Sequence, residues 1–258
     1  MLTVISPAKR LDWAEPGLAE TEPRFRRESH ILAGHMRQLS LTKLKALMGL
    51  SDDLARLNRD RFRDFAQAPS ADGTRPAIRA FAGDTYIGLD AATLGLDALD
   101  WAQDRLRILS GLYGLLRPRD AIQPYRLEMG SRLKTRRGNT LYAFWGDTIA
   151  AALADDARAV GARAVLNCAS QEYFGAVPQA ALGLEVITPA FLEVSGDDAR
   201  MVSFFAKRAR GAMARWAIDN RITNPADLPG FDRDGYCYDA ARSSGAAPVF
   251  TRMAQAAA

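Results

Sequence analysis

Residues 163–174 read RAVLNCASQEYF. Arg163 to Ala169 is a largely apolar run of strand length, and from Ser170 onward the composition turns polar. A strand that gives way to another element places Asn167, Ser170, Glu172 and Tyr173 at its end, a common position for a site in α/β proteins. Working outward, Leu2-Thr3-Val4-Ile5 is a second short buried strand, stopped by Pro7 and followed by a polar loop through Pro23. Glu185 to Thr188 and Arg200 to Ser203 read as further strands, Ala80 to Leu89 as a strand and turn, and Gly114 to Pro118 as a strand or turn. Helical spacing marks His30 to Leu39, Asp97 to Ser110, Leu141 to Leu153 and, most clearly, Phe204 to Ile222. Residues 66–77, with two prolines and a glycine, form a break. Strands and helices mix throughout, so an α/β or mixed α+β domain is expected.

The chain has 258 residues, 48% hydrophobic and 25% charged, which suits one large domain or two modest ones with ample core. No apolar run reaches the roughly 18 residues of a membrane span, and the opening residues lack a signal-peptide pattern. A cytoplasmic protein without a membrane partner is expected. Two cysteines, Cys168 and Cys237, and two histidines, His30 and His35, have no metal-ligand spacing, so no metal site is expected. Phosphate-binding Walker loops, GxSxG elbows and dinucleotide fingerprints are also missing, and no cofactor is expected.

Charge is unevenly distributed. Between Arg105 and Arg137 nine basic residues face two acids, Asp120 and Glu128, although the whole chain carries only +4. Gathered on one face, such an excess binds phosphates; dispersed, it is a solvated surface. The helix from Phe204 puts Phe205, Ala209, Ala212, Met213 and Trp216 on one apolar arc, Lys207, Arg210 and Arg221 away from it, and Arg208 and Arg215 beside it. That basic face is either solvated or part of a phosphate groove.

LKALMGLSDDLARLNRDRF, residues 44–62, reads as two short helices around Gly49. Within residues 40–65 the pattern resembles a helix-hairpin-helix element, in which glycine lets backbone approach a phosphate and the second helix offers its amides. Lys43, Lys45, Arg56, Arg59, Arg61 and Arg63 would add cations, while Asp52 and Asp53 at the second helix start would repel a phosphate. The alternative is an ordinary αα-hairpin with glycine as a C-cap. In PYRLEMG, residues 124–130, Arg126 and Glu128 alternate, and FWGD ends in Asp147. Carboxylates beside arginines serve as general acids or bases, or as ion pairs that hold loops.

Taken together, ISPAK at Ile5, FAGDTYIGL at Phe81, LSGLYGLLRP at Leu109, QPYRLEMG at Gln123, LYAFWGD at Leu141, NCASQEYF at Asn167, VSFFAKRARGAMARW at Val202 and GFDRDGY at Gly230 closely resemble the YaaA family. The resemblance spans nearly the whole chain. It implies one compact α/β domain of unusual topology over residues 1–258. It further implies resistance to peroxide stress, a link to lowered intracellular iron, and binding of double-stranded and distorted or bulged DNA through a helix-hairpin-helix and a basic cleft. Lys9, Arg126, Glu128, Asn167, Ser170, Glu172, Lys207 and Arg210 fall within the matching stretches. Cys168 stands where the family usually has leucine, Phe205 where it has tyrosine and Arg208 where it has lysine.

Residues and resemblance together make Lys9, Lys43, Lys45, Gly49, Arg56, Arg117, Arg126, Asn167, Ser170, Lys207, Arg208, Arg210 and Arg215 the candidate DNA contacts. A second hypothesis is an enzyme on a nucleotide, nucleoside or nucleobase, with Glu128 or Glu172 moving protons and a nucleotide-like ligand in the same cleft. A third, iron sequestration, has only carboxylates such as Asp147 and Glu172 to draw on.

Overall fold

The computed structural model describes residues 1–14, 21–196 and 198–254. Part of the loop expected before Pro23, residues 15–20, lies outside them. The strands are β1 (Leu2–Ile5), β2 (Arg10–Leu11), β3 (Arg75–Pro76), β4 (Phe81–Ala82), β5 (Leu106–Ser110), β6 (Gly114–Leu116), β7 (Ala121–Ile122), β8 (Ala164–Cys168), β9 (Glu185–Ile187), β10 (Ala190–Ser195), β11 (Asp198–Arg200), β12 (Cys237–Tyr238) and β13 (Val249–Met253). The α-helices are α1 (Arg26–Arg37), α2 (Leu41–Met48), α3 (Asp52–Asp64), α4 (Ala77–Ala80), α5 (Asp84–Leu89), α6 (Leu96–Arg105), α7 (Leu141–Trp145), α8 (Thr148–Ala159), α9 (Gln171–Phe174), α10 (Gln179–Leu182) and α11 (Ser203–Asp219).

The central sheet runs β6-β5-β1-β8-β9. Its strands β5, β1, β8 and β9 are parallel, with β6 antiparallel at one edge. Every residue of β1, β5 and β8 is buried, as a parallel sheet covered on both faces requires. Helix α11 packs against β1 and β8 and crosses α5. It reaches a second sheet, β11-β10-β13-β12, whose core stacks Phe191 on Phe250 at 5.6 Å, with Phe231 and Tyr236 edge-on. The result is a single compact α/β assembly.

Four boundaries differ from the sequence reading. The segment Leu141–Leu153 is not one helix: α7 ends at Trp145, Gly146 turns the chain at φ 48°, and α8 starts at Thr148. The segment Asp97–Ser110 is not one helix: α6 stops at Arg105, and Leu106–Ser110 is β5. Leu99, Leu106 and Leu109 suit either period, and the buried sheet decides between them. Ala80–Leu89 is mostly helical, since α5 follows the short β4. The strand expected at Arg200–Ser203 ends at Arg200, and Ser203 opens α11.

Burying Arg107 on β5 needs a counter-charge, and Asp156 on α8 supplies it at 2.6 Å while also receiving Arg24. The hairpin is two capped helices. Ser40 and Ser51 accept from the amides of Lys43 and Leu54 at their N-termini, and Gly49 closes α2 in the left-handed conformation, φ 61° and ψ 44°. Leu44, Met48 and Leu50 are buried, so the apolar turn is packed into the body of the protein.

Candidate functional site

The site forms where β1 and β8 end. Ile5 and Cys168 are register partners, which sets the loops after each strand side by side. Ser170 donates its amide to Ser6 Oγ at 2.9 Å, the two hydroxyls are 3.3 Å apart, and Tyr86 donates its hydroxyl to the Ser6 carbonyl at 3.1 Å. Asn167 accepts the Ala169 amide at 3.0 Å and donates to Thr188 Oγ1 at 3.2 Å. Both Asn167 and Ser170 therefore shape the loop after β8.

Residues 124–130 cross this end in alternation. Tyr125, Leu127 and Met129 are buried, and Arg126 and Glu128 are partly exposed. Glu128 Oε1 accepts from Arg126 Nε at 3.1 Å and Nη2 at 2.9 Å, and Lys9 Nζ stands 3.4 Å from the same oxygen. Glu172 accepts the Gly130 amide at 2.9 Å, while Tyr142 donates to the Glu172 carbonyl at 2.8 Å. Burial holds the Tyr173 phenol well above its ordinary value, and neighbouring Tyr125, Glu172 and Glu128 add to the effect. Glu128 and Glu172 thus flank one buried tyrosine.

Two further cations on other elements are influenced by charges of this region. Arg61, on α3, has its guanidinium pushed down by burial and then, more weakly, by the charge of Arg126. Arg210, on α11, is half-buried near Cys168. Burial pushes the Cys168 thiol up to about 12 against a weaker opposing pull from Arg210. Sequence reasoning counted Arg61 only among the hairpin cations. Its spacing from Asn58, Ala55 and Phe62 on the inner side of α3 was the available signal.

The other candidates are placed as follows. Lys207 is exposed, and Lys43 is exposed on α2. Lys45 pairs with Asp52 at 2.6 Å and Arg56 approaches Asp53 at 3.9 Å, so both acids of the first turn of α3 have basic neighbours. Arg117 pairs with Asp120, and Arg208 with Asp234, each at 3.2 Å. Arg215 is a tether, bound to Asp219 at 2.9 Å, the Asp90 carbonyl at 2.8 Å and Thr93 Oγ1 at 2.6 Å.

Much of the basic excess between Arg105 and Arg137 is neutralised. Arg107, Arg117, Arg119, Arg126 and Arg137 all face carboxylates. Arg132, Lys134 and Arg136 are exposed at alternate positions between buried Ser131, Leu133 and Thr135, and none forms an ion pair among the described residues. They begin two residues after Gly130, beside Glu172. A cavity of about 630 Å³ lined by Arg10, Ile78, Phe81, Tyr86, Leu96 and Leu99 includes neither Glu128 nor Glu172.

Fold and site define an α/β protein with a charged rim at the carboxyl ends of its central parallel strands. Among the described residues no group of three His, Cys, Asp or Glu side chains is placed to hold a metal ion, and no helix is long and apolar enough to cross a membrane. The chain belongs to the family described as peroxide stress protein YaaA, whose model matches residues 1–242. The UPF0246 protein of Ruegeria pomeroyi is 62% identical over 255 residues, covering 99% of this chain and all of that relative. Its counterpart in Roseobacter denitrificans is 60% identical over 98% of both chains, and one from Jannaschia sp. is 56% identical over 98% of this chain and 97% of its own length.

Proposed function

We propose that this member of the peroxide-stress family is a cytoplasmic protein that binds DNA, both duplex and bulged, without reading its sequence. Shielding the strand limits iron-dependent peroxide damage at the bound site. The observation that carries this reading is the row Arg132, Lys134 and Arg136: three exposed cations without acidic partners among the described residues, beside a rim that also holds Lys9 and Arg126. Phosphate contacts position a nucleic acid without selecting bases, so sequence tolerance follows. Gly49, exposed between buried Met48 and Leu50, supplies a second backbone contact, weakened by Asp52 and Asp53 at the start of α3.

A salt titration of duplex and bulged DNA tests it. Replacing Arg132, Lys134 and Arg136 together by glutamine should flatten the log–log salt slope by about 2.7, at roughly 0.9 per lost phosphate contact. Gly49→Asp should weaken binding without unfolding the hairpin, because nothing lies within 4 Å of a Cβ there and aspartate tolerates the left-handed region. Unchanged affinity and slope in the folded triple variant sink the proposal. Unchanged binding in Gly49→Asp reduces the hairpin to a structural element.

An enzyme acting on a nucleotide, nucleoside or nucleobase is the second reading, favoured by Glu128 and Glu172 flanking Tyr173 beside Lys9 and Arg126. Turnover of a nucleotide and nucleoside panel that disappears in Glu128→Gln is its expected signature. An inert panel leaves it without support.

A further inference from the structure

The cavity of about 630 Å³ has no part in either reading of the rim, yet its size is that of a small-molecule site, about 300–1,000 Å³. One stretch of chain builds most of it. Helix α4, strand β4 and helix α5 follow in succession, and α6 begins after a short turn, so that Ile78, Phe81, Tyr86, Ala91 and Leu99 face one space. Strand β2 pairs with β4, Arg10 opposite Ala82, and brings Arg10 and Asp12 to the same opening.

Floor and mouth differ in chemistry. Pro76, Ile78, Phe81, Tyr86 and Ala91 are buried, and because the Tyr86 hydroxyl is committed to the Ser6 carbonyl at 3.1 Å, their side chains offer a ligand only carbon. Arg119, largely withdrawn from water, is paired with Asp100 at 2.6 Å. Ile87 and Leu96 continue the apolar surface out to solvent, 52% and 76% exposed, and Leu96 is the most exposed large apolar residue among the described residues. A ligand that covers them removes this surface from water. Arg10 and Arg79 are exposed at the same mouth. Among the described residues Arg79 donates only to the Ala92 carbonyl, at 3.3 Å, Arg10 has no hydrogen bond or ion pair, and neither meets a carboxylate. Asp12 and Asp90 also stand there, but each is held within its own turn: Asp12 accepts the Ala14 amide and Asp90 the Thr93 hydroxyl, both at 3.0 Å. The two aspartates balance the two arginines, which admits one negative charge on a ligand and opposes the several of a nucleotide.

We infer that this cavity binds a small apolar monocarboxylate. Its hydrocarbon body lies against Ile78, Phe81 and Leu99, Ile87 and Leu96 flank it at the mouth, and its carboxylate is held by the planar forks of Arg10 and Arg79. The body is an aliphatic chain or an aromatic ring, and both present the same chemistry to the protein. Neither the DNA reading nor the enzyme reading uses Arg10, Arg79, Ile87 or Leu96, so the cavity stands or falls without them.

Calorimetric titration of the full-length protein tests it, with octanoate and phenylbutyrate as probes, each beside its alcohol, and with octylamine and a nucleoside monophosphate. At least one acid should bind saturably at a single site, about tenfold or more tighter than its alcohol, with octylamine weaker still. Replacing Arg10 and Arg79 together by glutamine should reduce that preference to within about twofold and leave the alcohol unaffected. Leu96→Ser should weaken acid and alcohol alike, by about fivefold. All three side chains are exposed, and the melting temperature without ligand checks that the variants fold. Should the arginine pair prove necessary for folding, Leu96→Ser and the wild-type probe series still decide. Tighter binding of octanoate or of phenylbutyrate tells chain from ring and upholds the cavity in either case. No saturable binding of either acid, acids no tighter than their alcohols or than octylamine, or displacement by the nucleoside monophosphate overturns the inference. Acid binding that survives both sets of substitutions lies elsewhere on the protein and overturns it too.

Discussion

Gly88 of α5 and Gly211 of α11 each lie against the backbone of the opposite helix where the two helices cross. A Cβ on Gly211 would stand 1.8 Å from the Thr85 carbonyl oxygen, and one on Gly88 would stand 2.0 Å from that of Arg208. Neither obstacle is a flexible side chain, so even one methyl group must push the two helices apart. Gly211→Ala should cost about 3 kcal/mol or more, at the upper end of overpacking penalties. Urea denaturation measures this, and a loss below about 1 kcal/mol would contradict the contact.

Asp156 holds two arginines of unequal burial. Asp156→Ala should cost about 3–5 kcal/mol because it leaves Arg107 charged and buried without a partner. Arg24→Ala, which removes the more exposed partner, should cost far less, about 1 kcal/mol. A double replacement of Arg107 and Asp156 by methionine and leucine should recover much of the first loss. Denaturant midpoints for the three variants provide the comparison.

The two thiols should react differently. Cys237 is exposed, whereas Cys168 is buried with its thiol pushed up to about 12 and so carries its proton at neutral pH. Iodoacetamide should label Cys237 in the native protein and Cys168 only after denaturation. Cells carrying Cys168→Leu with Cys237→Ser should keep their peroxide resistance. Loss of resistance from a folded double variant would point to thiol chemistry instead.

His30 should make the fold weaker in mild acid. Burial, then the charges of Arg26 and Arg37, lower its folded value below the ordinary 6.5. The unfolded chain therefore takes up a proton first. Stability from this group is complete above about pH 6.5 and is lost as pH falls from there through the lower folded value. His30→Gln should flatten that part of the stability–pH curve, read from urea midpoints between about pH 7 and 5. A slope unchanged by the substitution would show that another group is responsible.

The parts of the fold legible in sequence were those that local composition determines. The runs LTVI and AVLNC are strands because they are buried on both faces, and Gly49 ends a helix because only the left-handed turn fits there. The boundary at Arg105 carries no glycine or proline, and Leu106 and Leu109 continue a helical spacing, so only pairing with β1 and β6 reveals β5. In the site, Lys9, Arg126, Glu128 and Glu172 could be picked out from their motifs. The influence of Arg126 on Arg61 could not be read there, because the two lie in distant segments of the chain. Nor does a local charge excess show which cations are matched: Arg107 finds Asp156, and Arg132, Lys134 and Arg136 find no acid among the described residues.

The central place of β1 also sets the order in which the protein can fold. As the chain emerges from the ribosome, LTVI comes before both of its neighbours in the sheet, Leu106–Ser110 and Ala164–Cys168. Until both have been made, an apolar segment with two open edges has nothing in the sheet to pair with, a condition that invites aggregation. Such long-range pairing slows folding, and the rim at the ends of β1 and β8 is among the last parts to assemble. Any block to synthesis between these strands, such as truncation after β6, should therefore yield a chain that chaperones hold rather than a smaller folded protein.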